Sequence, residues 1–283
     1  LFNMKGFVLF LFILFSPFPF FASQNSVKQS DIEQWTELAT NKNSAQAQYA
    51  LGISYFYGDG VEKNNTKAIE WLEKSAKQGD VDAQSFLGAI YYWGTSSIPI
   101  DYTKALLWNE KAANNNHVNG QFYLGLMYGK GLAVKQNHEK ALYWLTKATE
   151  NEYNSDAAKY YLGLMYANGY GVPKDYVKAR ALFKSMYSDI QGLYVLALMN
   201  IEGIGGEQNY EEARRLLEQV AVSEEREIIV PKSLIYLILL METKKIQPKL
   251  FSNSVIYAYV LLNYALKPYP SIQERVNNII IGD

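Results

Sequence analysis

The chain has 283 residues, a formal net charge of −1, no cysteine and only two histidines. The missing cysteine excludes disulfides, zinc–thiolate sites, iron–sulfur clusters, cysteine nucleophiles and lipoprotein acylation, and 27 basic against 28 acidic side chains leave no electrostatic footprint for nucleic acid. Hydrophobic residues make up 49% of the chain, enough for a packed core, and 23 tyrosines are an excess that needs a use.

At the start, Met4-Lys5 precedes an apolar run over residues 6–15, a proline-bearing boundary at Ser16-Pro17-Phe18-Pro19, and then Ala22-Ser23. One charge, about ten apolar residues and that boundary match the three regions of a secretory signal. Pro17 and Pro19 break the register of about 20 residues that a spanning helix needs. Residues 1–23 are therefore read as a signal peptide, or as an N-terminal anchor if uncleaved. The expected location is outside the cytoplasm, in the periplasm, held at the inner membrane if the segment is retained. Within residues 24–44, residues 31–40 read as a lone amphipathic helix with Trp35 and Ala39 on its apolar side, an N-terminal cap.

From residue 45 to 222 the sequence repeats. Small residues at Gly52, Gly88, Gly125, Gly163 and Ala197 serve as anchors, spaced by 36, 37, 38 and 34. Three positions later stand Tyr55, Tyr91, Tyr128, Tyr166 and Asn200, and six positions later Gly58, Gly94, Gly131, Gly169 and Gly203. An alanine follows at Ala68, Ala105, Ala141, Ala179 and Ala213, and beyond it Trp71, Trp108 and Trp144, then Leu182 and Leu216. Each repeat reads as two helices. In the first, Ala47, Leu51 and Tyr55 form an i, i+4, i+8 stripe, closed by glycines able to enter the left-handed conformation. Asn65 or Thr66 is the expected cap of the second helix, and Asp82, Asn119 and Asp156 are expected at the entries of later first helices. The small anchor permits close helix approach, and the expected filler is the neighbouring indole, so that Trp71→Ala costs about 3–5 kcal/mol.

These columns resemble the Sel-one-like repeat (SLR) family, a branch of the tetratricopeptide superfamily. Its pattern of Ala-x-x-x-Leu-Gly, Tyr-x-x-Gly-x-Gly-Val and Lys-Ala-x-x-Trp is matched from Ala47 to Trp71. The resemblance implies an all-α fold, a right-handed α/α superhelical solenoid of about five helix-turn-helix repeats with terminal capping helices. It also implies a scaffold or adaptor role, with first helices lining a concave surface that takes protein partners. Residues 223–283 lose the pattern and are expected as a divergent C-terminal helical cap. They hold a charged break at Glu224-Glu225-Arg226-Glu227 and apolar helices over residues 233–241 and 254–266.

No chemistry asserts itself. His117 and His138 fall in different loops without ligand-spaced partners, Gly-x-Ser-x-Gly is absent, and Gly203-Ile204-Gly205-Gly206 lacks both the preceding strand and the Gly-Lys-Ser/Thr ending of a phosphate loop. Asp101 and Asp175 read as helix caps, and Glu211-Glu212 as acids favoured at a helix start. The expectation is no enzyme activity, no cofactor and no metal.

The tyrosines outside the structural column remain. Three positions before the anchor stand Tyr49, Phe122, Tyr160 and Tyr194, and five after it Tyr57 and Trp93. Placed on one helix face, they are read either as packing between repeats or as a partner-binding aromatic strip. The partner is then a protein: an envelope component for a scaffold or regulator, or a secreted antibacterial toxin such as a lipase for an immunity protein.

Overall fold

The computed structural model describes residues 27–150, 156–186 and 190–222. The expected leader and the C-terminal helices over residues 233–241 and 254–266 lie outside them. Among the described residues there are eleven helices and no strand: α1 (Gln29–Asn41), α2 (Ala45–Tyr57), α3 (Asn65–Lys77), α4 (Val81–Trp93), α5 (Tyr102–Asn114), α6 (Val118–Lys130), α7 (His138–Glu150), α8 (Asp156–Asn168), α9 (Tyr176–Lys184), α10 (Ile190–Glu202) and α11 (Tyr210–Val222). They divide into two compact units. The first runs to Tyr161 and includes Tyr170–Val172; the second holds Leu162–Gly169 and the residues from Pro173 onward.

In the first unit α2 pairs with α3, α4 with α5 and α6 with α7, while α3–α4, α5–α6 and α4–α6 contacts stack one pair on the next. In the second, α10 packs against α9 and α11. The helices start where short polar side chains meet free backbone N–H groups. Ser44 accepts from the Ala47 N–H, Asp80 from Ala83, Asp101 from Lys104 and Asp175 from Lys178. Three expected caps depart from expectation: Asn119 lies inside α6, whose N-cap is His117 without a capping side-chain bond, and two others are displaced by one or two residues. Asn64, not Asn65 or Thr66, caps α3 through the Lys67 N–H, and Asp80 takes the place expected of Asp82. In those two cases the capping side chain sits outside the first turn, at the residue whose extended backbone aims it back at the helix.

The anchor column works by close approach, but not through the indole. A Cβ on Gly52 would stand 2.6 Å from Leu72 Cγ, one on Gly125 2.8 Å from Leu145 Cγ, and one on Gly163 2.8 Å from the Phe183 ring. The filler is thus the residue after the tryptophan column. Trp71 remains half-buried, with Lys74 Nζ 4.1 Å from its ring centroid. The second turn glycine is equally constrained at Gly171: φ is +70°, and a Cβ would meet the His138 carbonyl at 2.6 Å. In the third repeat Ala133 stands in that column and still takes φ +56°.

One more column ties each pair of helices to the element before it, and another joins the two helices within a repeat. Buried glutamines reach back to the preceding helix end: Gln48 Nε2 donates to the Ala39 carbonyl at 3.2 Å and Gln84 Nε2 to the Ala76 carbonyl at 3.0 Å. These bonds satisfy carbonyls that have no partner within their own helix. Each of the first four repeats also sets a lysine over its structural tyrosine: Lys67 over Tyr55, Lys104 over Tyr91, Lys140 over Tyr128 and Lys178 over Tyr166, at 4.8–5.2 Å from the centroids. Asn200 breaks the column, and there Arg180 takes over. Its guanidinium donates to Asn200 Oδ1 and, at 3.1 Å, to the Ile204 carbonyl of the following turn.

Candidate interaction surface

The six aromatic residues singled out in the sequence do not share one environment. Phe122, Tyr160 and Tyr194 are buried, at 6%, 2% and 3% exposure, whereas Tyr49, Tyr57 and Trp93 are half-buried. Eight residues along a helix turn through about 800°, so the two columns are offset by roughly 80°. The earlier column therefore points toward the packed interior in three repeats, and the later one stays at the surface.

Around Tyr57, Trp93 and Phe122 in the first unit lie contacts between rings of successive helices. Phe56 and Tyr57 of α2 meet Phe86 of α4, with centroids 5.1 and 6.2 Å away. Tyr92 of α4 meets Tyr102 of α5 at 5.7 Å and Tyr123 of α6 at 5.1 Å. Phe122 then meets Tyr161 of α8 at 5.8 Å. The contacts lie in two columns that sequence reasoning passed over, two positions before the anchor (Phe86, Tyr123, Tyr161) and four after it (Phe56, Tyr92). The signal was present: aromatic residues recur there, and six residues apart on a helix they flank the groove to the next repeat.

Polar groups are set among these rings. Trp93 Nε1 donates to Tyr123 Oη at 3.1 Å, and Lys130 Nζ donates to Tyr92 Oη at 3.2 Å. Burial pushes the Tyr123 phenol up to about 12 and raises Tyr92, Tyr161, Tyr57 and Tyr49 as well. All of these are neutral O–H groups near neutral pH. Much of the Lys130 side chain is exposed, yet desolvation around its ammonium lowers its pKa. Tyr49 is raised further by the nearby Asp82 and Asp80 carboxylates.

His117 lies in the turn between α5 and α6, as expected, but is half-buried there. It stands at the N-cap of α6 without a capping hydrogen bond, and its Nε2 lies 3.2 Å from Asp82 Oδ1 at the start of α4. That bond holds the Asp82 carboxyl below its ordinary range. His138 is the first residue of α7 and stacks on Tyr170 at 5.0 Å. Among the described residues no cluster of three His, Cys, Asp or Glu side chains is placed to hold a metal ion, and no helix is long and apolar enough to cross a membrane. Gly203 and Gly205 lie in the turn after α10, not beside a strand.

The surface is thus one of rings, phenols and a lysine rather than a pocket of reactive groups. Two curated relatives share local similarity. A component of an ERAD-associated E3 ubiquitin-protein ligase, HRD3A of Arabidopsis thaliana, is 34% identical over 62 residues, 22% of this chain and 9% of that protein. The sel1-like repeat-containing protein R850 of Acanthamoeba polyphaga mimivirus is 32% identical over 65 residues, 23% of this chain and 13% of that protein. The chain therefore matches about a tenth of the length of these relatives.

Solved structures match more widely. The protective antigen c5321 of uropathogenic Escherichia coli, which displays an SLR fold, superposes with a TM-score of 0.71 at 25% identity, covering 88% of this chain and 55% of that one. A Sel1 repeat protein from Oxalobacter formigenes gives 0.65 at 25% identity, covering 80% and 94%. The all-α SLR solenoid class expected from the sequence is thereby assigned. Sel1 repeats match in succession at residues 45–80, 81–117, 118–153, 156–188 and 190–221, so that the chain belongs to the Sel1 repeat family, whose members typically mediate protein–protein interaction.

Proposed function

We propose that this chain is an exported, non-enzymatic interaction module that acts as a scaffold, adaptor or regulator in the cell envelope, binding a protein partner on the face formed by its first helices. The observation that carries this reading is that half-buried Tyr57 and Trp93, at the same position of successive first helices, lie against packed rings, Tyr57 on Phe86 and Trp93 on Tyr92. Tyrosine and tryptophan at a partly exposed, prepacked surface give large contact area with few rotors to freeze. Sel1 repeat proteins are generally non-catalytic, and HRD3A is by its name a component of a larger assembly. Export rests on the residue pattern of the first 23 positions.

The test is crosslinking in intact cells followed by capture of the tagged chain, comparing wild type with a Tyr57→Ala/Trp93→Ala double variant. The expected result is an envelope protein crosslinked to wild type and at least about tenfold depleted in the variant, with helical circular dichroism unchanged. Equal recovery by the folded variant would remove this face from the interaction. Recovery of the tag in the cytoplasmic fraction would refute export.

A further inference from the structure

α1 carries the column pattern of a second helix. Ile32, Trp35 and Ala39 stand four, seven and eleven residues after its N-cap, as Ala105, Trp108 and Ala112 do in α5 and Ala141, Trp144 and Ala148 in α7. Its entry packs in the same way: a Cβ on Gly60 would meet Val27 Cγ1 at 2.9 Å, as one on Gly171 would meet the start of α7. Yet among the described residues no first helix precedes α1 to pair with it. The filler position, eight after the N-cap, shows the difference. Leu72, Asn109 and Leu145 are buried against the anchors of their own repeats. Thr36 of α1 is exposed, its hydroxyl spent on the Ile32 carbonyl at 2.7 Å.

α2 is open on the matching side. Two columns of the first helices, two before the anchor and one after it, hold Phe86 and Ala89 in α4 and Tyr123 and Leu126 in α6, all buried. The same columns in α2 hold Ala50 and Ile53, both half-buried. α4 and α6 each follow another first helix, and α2 follows none among the described residues. What covers the earlier column elsewhere is a pair of consecutive aromatic residues. Phe56 and Tyr57 of α2 meet Phe86, and Tyr92 and Trp93 of α4 meet Tyr123. Each pair stands four and five residues past its anchor glycine, Gly52 or Gly88.

We propose that the position ahead of α2 receives a helix of another protein built like the chain's own first helices. It brings a small residue to Thr36 and, four and five residues later, two consecutive aromatic side chains over Ala50 and Ile53. Continuity with the repeat-to-repeat contacts decides the occupant: the side left open is the one that the preceding first helix covers in α4 and α6. Ala50 is the smallest side chain of its column, which otherwise holds Phe86, Tyr123, Tyr161 and Val195, and so leaves room for incoming rings. No charged side chain lies on α2 to oppose an apolar helix. The inference goes beyond the interaction-module reading, which concerns the face of Tyr57 and Trp93, and has its own test.

A peptide of the Val81–Trp93 sequence, held helical by a side-chain bridge, is titrated against the full chain and followed by fluorescence anisotropy. Saturable binding is expected. Ile53→Glu in the chain should weaken it at least about tenfold, and Trp93→Ala in the peptide should do the same. Ala50→Tyr in the chain should tighten it about fivefold, since a phenol in that column accepts the Trp93 N–H as Tyr123 does. A gain of affinity cannot come from misfolding, and circular dichroism verifies the fold of the Ile53→Glu chain. Absence of binding, or binding that neither chain substitution alters, would overturn the proposal while leaving the Tyr57 and Trp93 face untouched. Self-association of the full chain in light scattering, abolished by Ile53→Glu, would assign the position to a second copy and overturn the partner helix.

Discussion

Asn109 on α5 is fully buried, and neither its Oδ1 nor its Nδ2 finds a hydrogen-bond partner. It occupies the filler position that holds Leu72, Leu145, Phe183 and Leu217 in the other repeats, facing Gly88 as Leu72 faces Gly52. An amide buried without partners destabilises the fold by about 1–3 kcal/mol. Asn109→Leu is therefore expected to raise the unfolding free energy by about that amount in urea titration, and a loss of stability would show that the amide is satisfied in solution. Asp82 supplies a second residue-scale prediction. Its folded carboxyl is held low by His117, so its stabilisation is present above the ordinary carboxylate value of about 4 and is lost as pH falls through the lower folded value. With 66% of its side chain exposed, the contribution is below about 1 kcal/mol. Asp82→Asn should cost this much at pH 7, and the gap from wild type should close under acid. A gap that stays constant on acidification would contradict the assignment.

At the scale of the helix, the repeat columns were legible because they are multiplied five times. The turn glycines, the Asp101 and Asp175 caps and the acidic start of α11 all stand where spacing placed them. What was not legible is which of two adjacent large residues faces the anchor. Trp71 and Leu72 differ by 100° of helix, less than the width of an apolar stripe, so period alone does not choose between them. The structure chooses Leu72, at 0% exposure, over the half-buried Trp71. Leu72→Ala is thus expected to cost about 2–5 kcal/mol by leaving a cavity beneath Gly52, and Trp71→Ala less. Chemical denaturation of the two variants gives the order, and a larger loss at Trp71 would reverse it. The lysines over Tyr55, Tyr91, Tyr128 and Tyr166 were equally hidden, because they join residues of two helices through space.

For the molecule as a whole, a stack of repeats must close its apolar ends. In the first unit α1 does this. Ile32 and Ala39 join Ala47 and Leu51 in one buried cluster, with Val27, Trp35, Leu38, Val61 and Trp71 packed around it. Removing residues 24–44 should uncover Ala47 and Leu51, lower Tm and raise binding of an apolar dye; an unchanged Tm would show that α1 is dispensable. At this scale the succession of helix pairs was readable from register, and the solenoid class from the family resemblance that the register carries. The candidate surface was readable only in part, since Tyr57 and Trp93 were found but Phe86, which packs on Tyr57, and Tyr92 and Tyr123, which hold Trp93, were not. A sequence column records which residue recurs. It does not record that one repeat's side chain is held by a different column of the next.

That crossing of columns has a consequence for how such a chain can change. Trp93 needs the phenol of Tyr123, and Lys130 needs that of Tyr92, so the second and third repeats are complementary parts rather than copies. The first repeat offers Ala50 and Phe56 at those two positions, neither of which can receive such a bond. Shuffling the order, or duplicating the first repeat into the middle, would keep every turn glycine and every anchor while unmaking the pairing. The array is periodic as a fold but ordered as a text, and its reading direction is fixed where α4 meets α6.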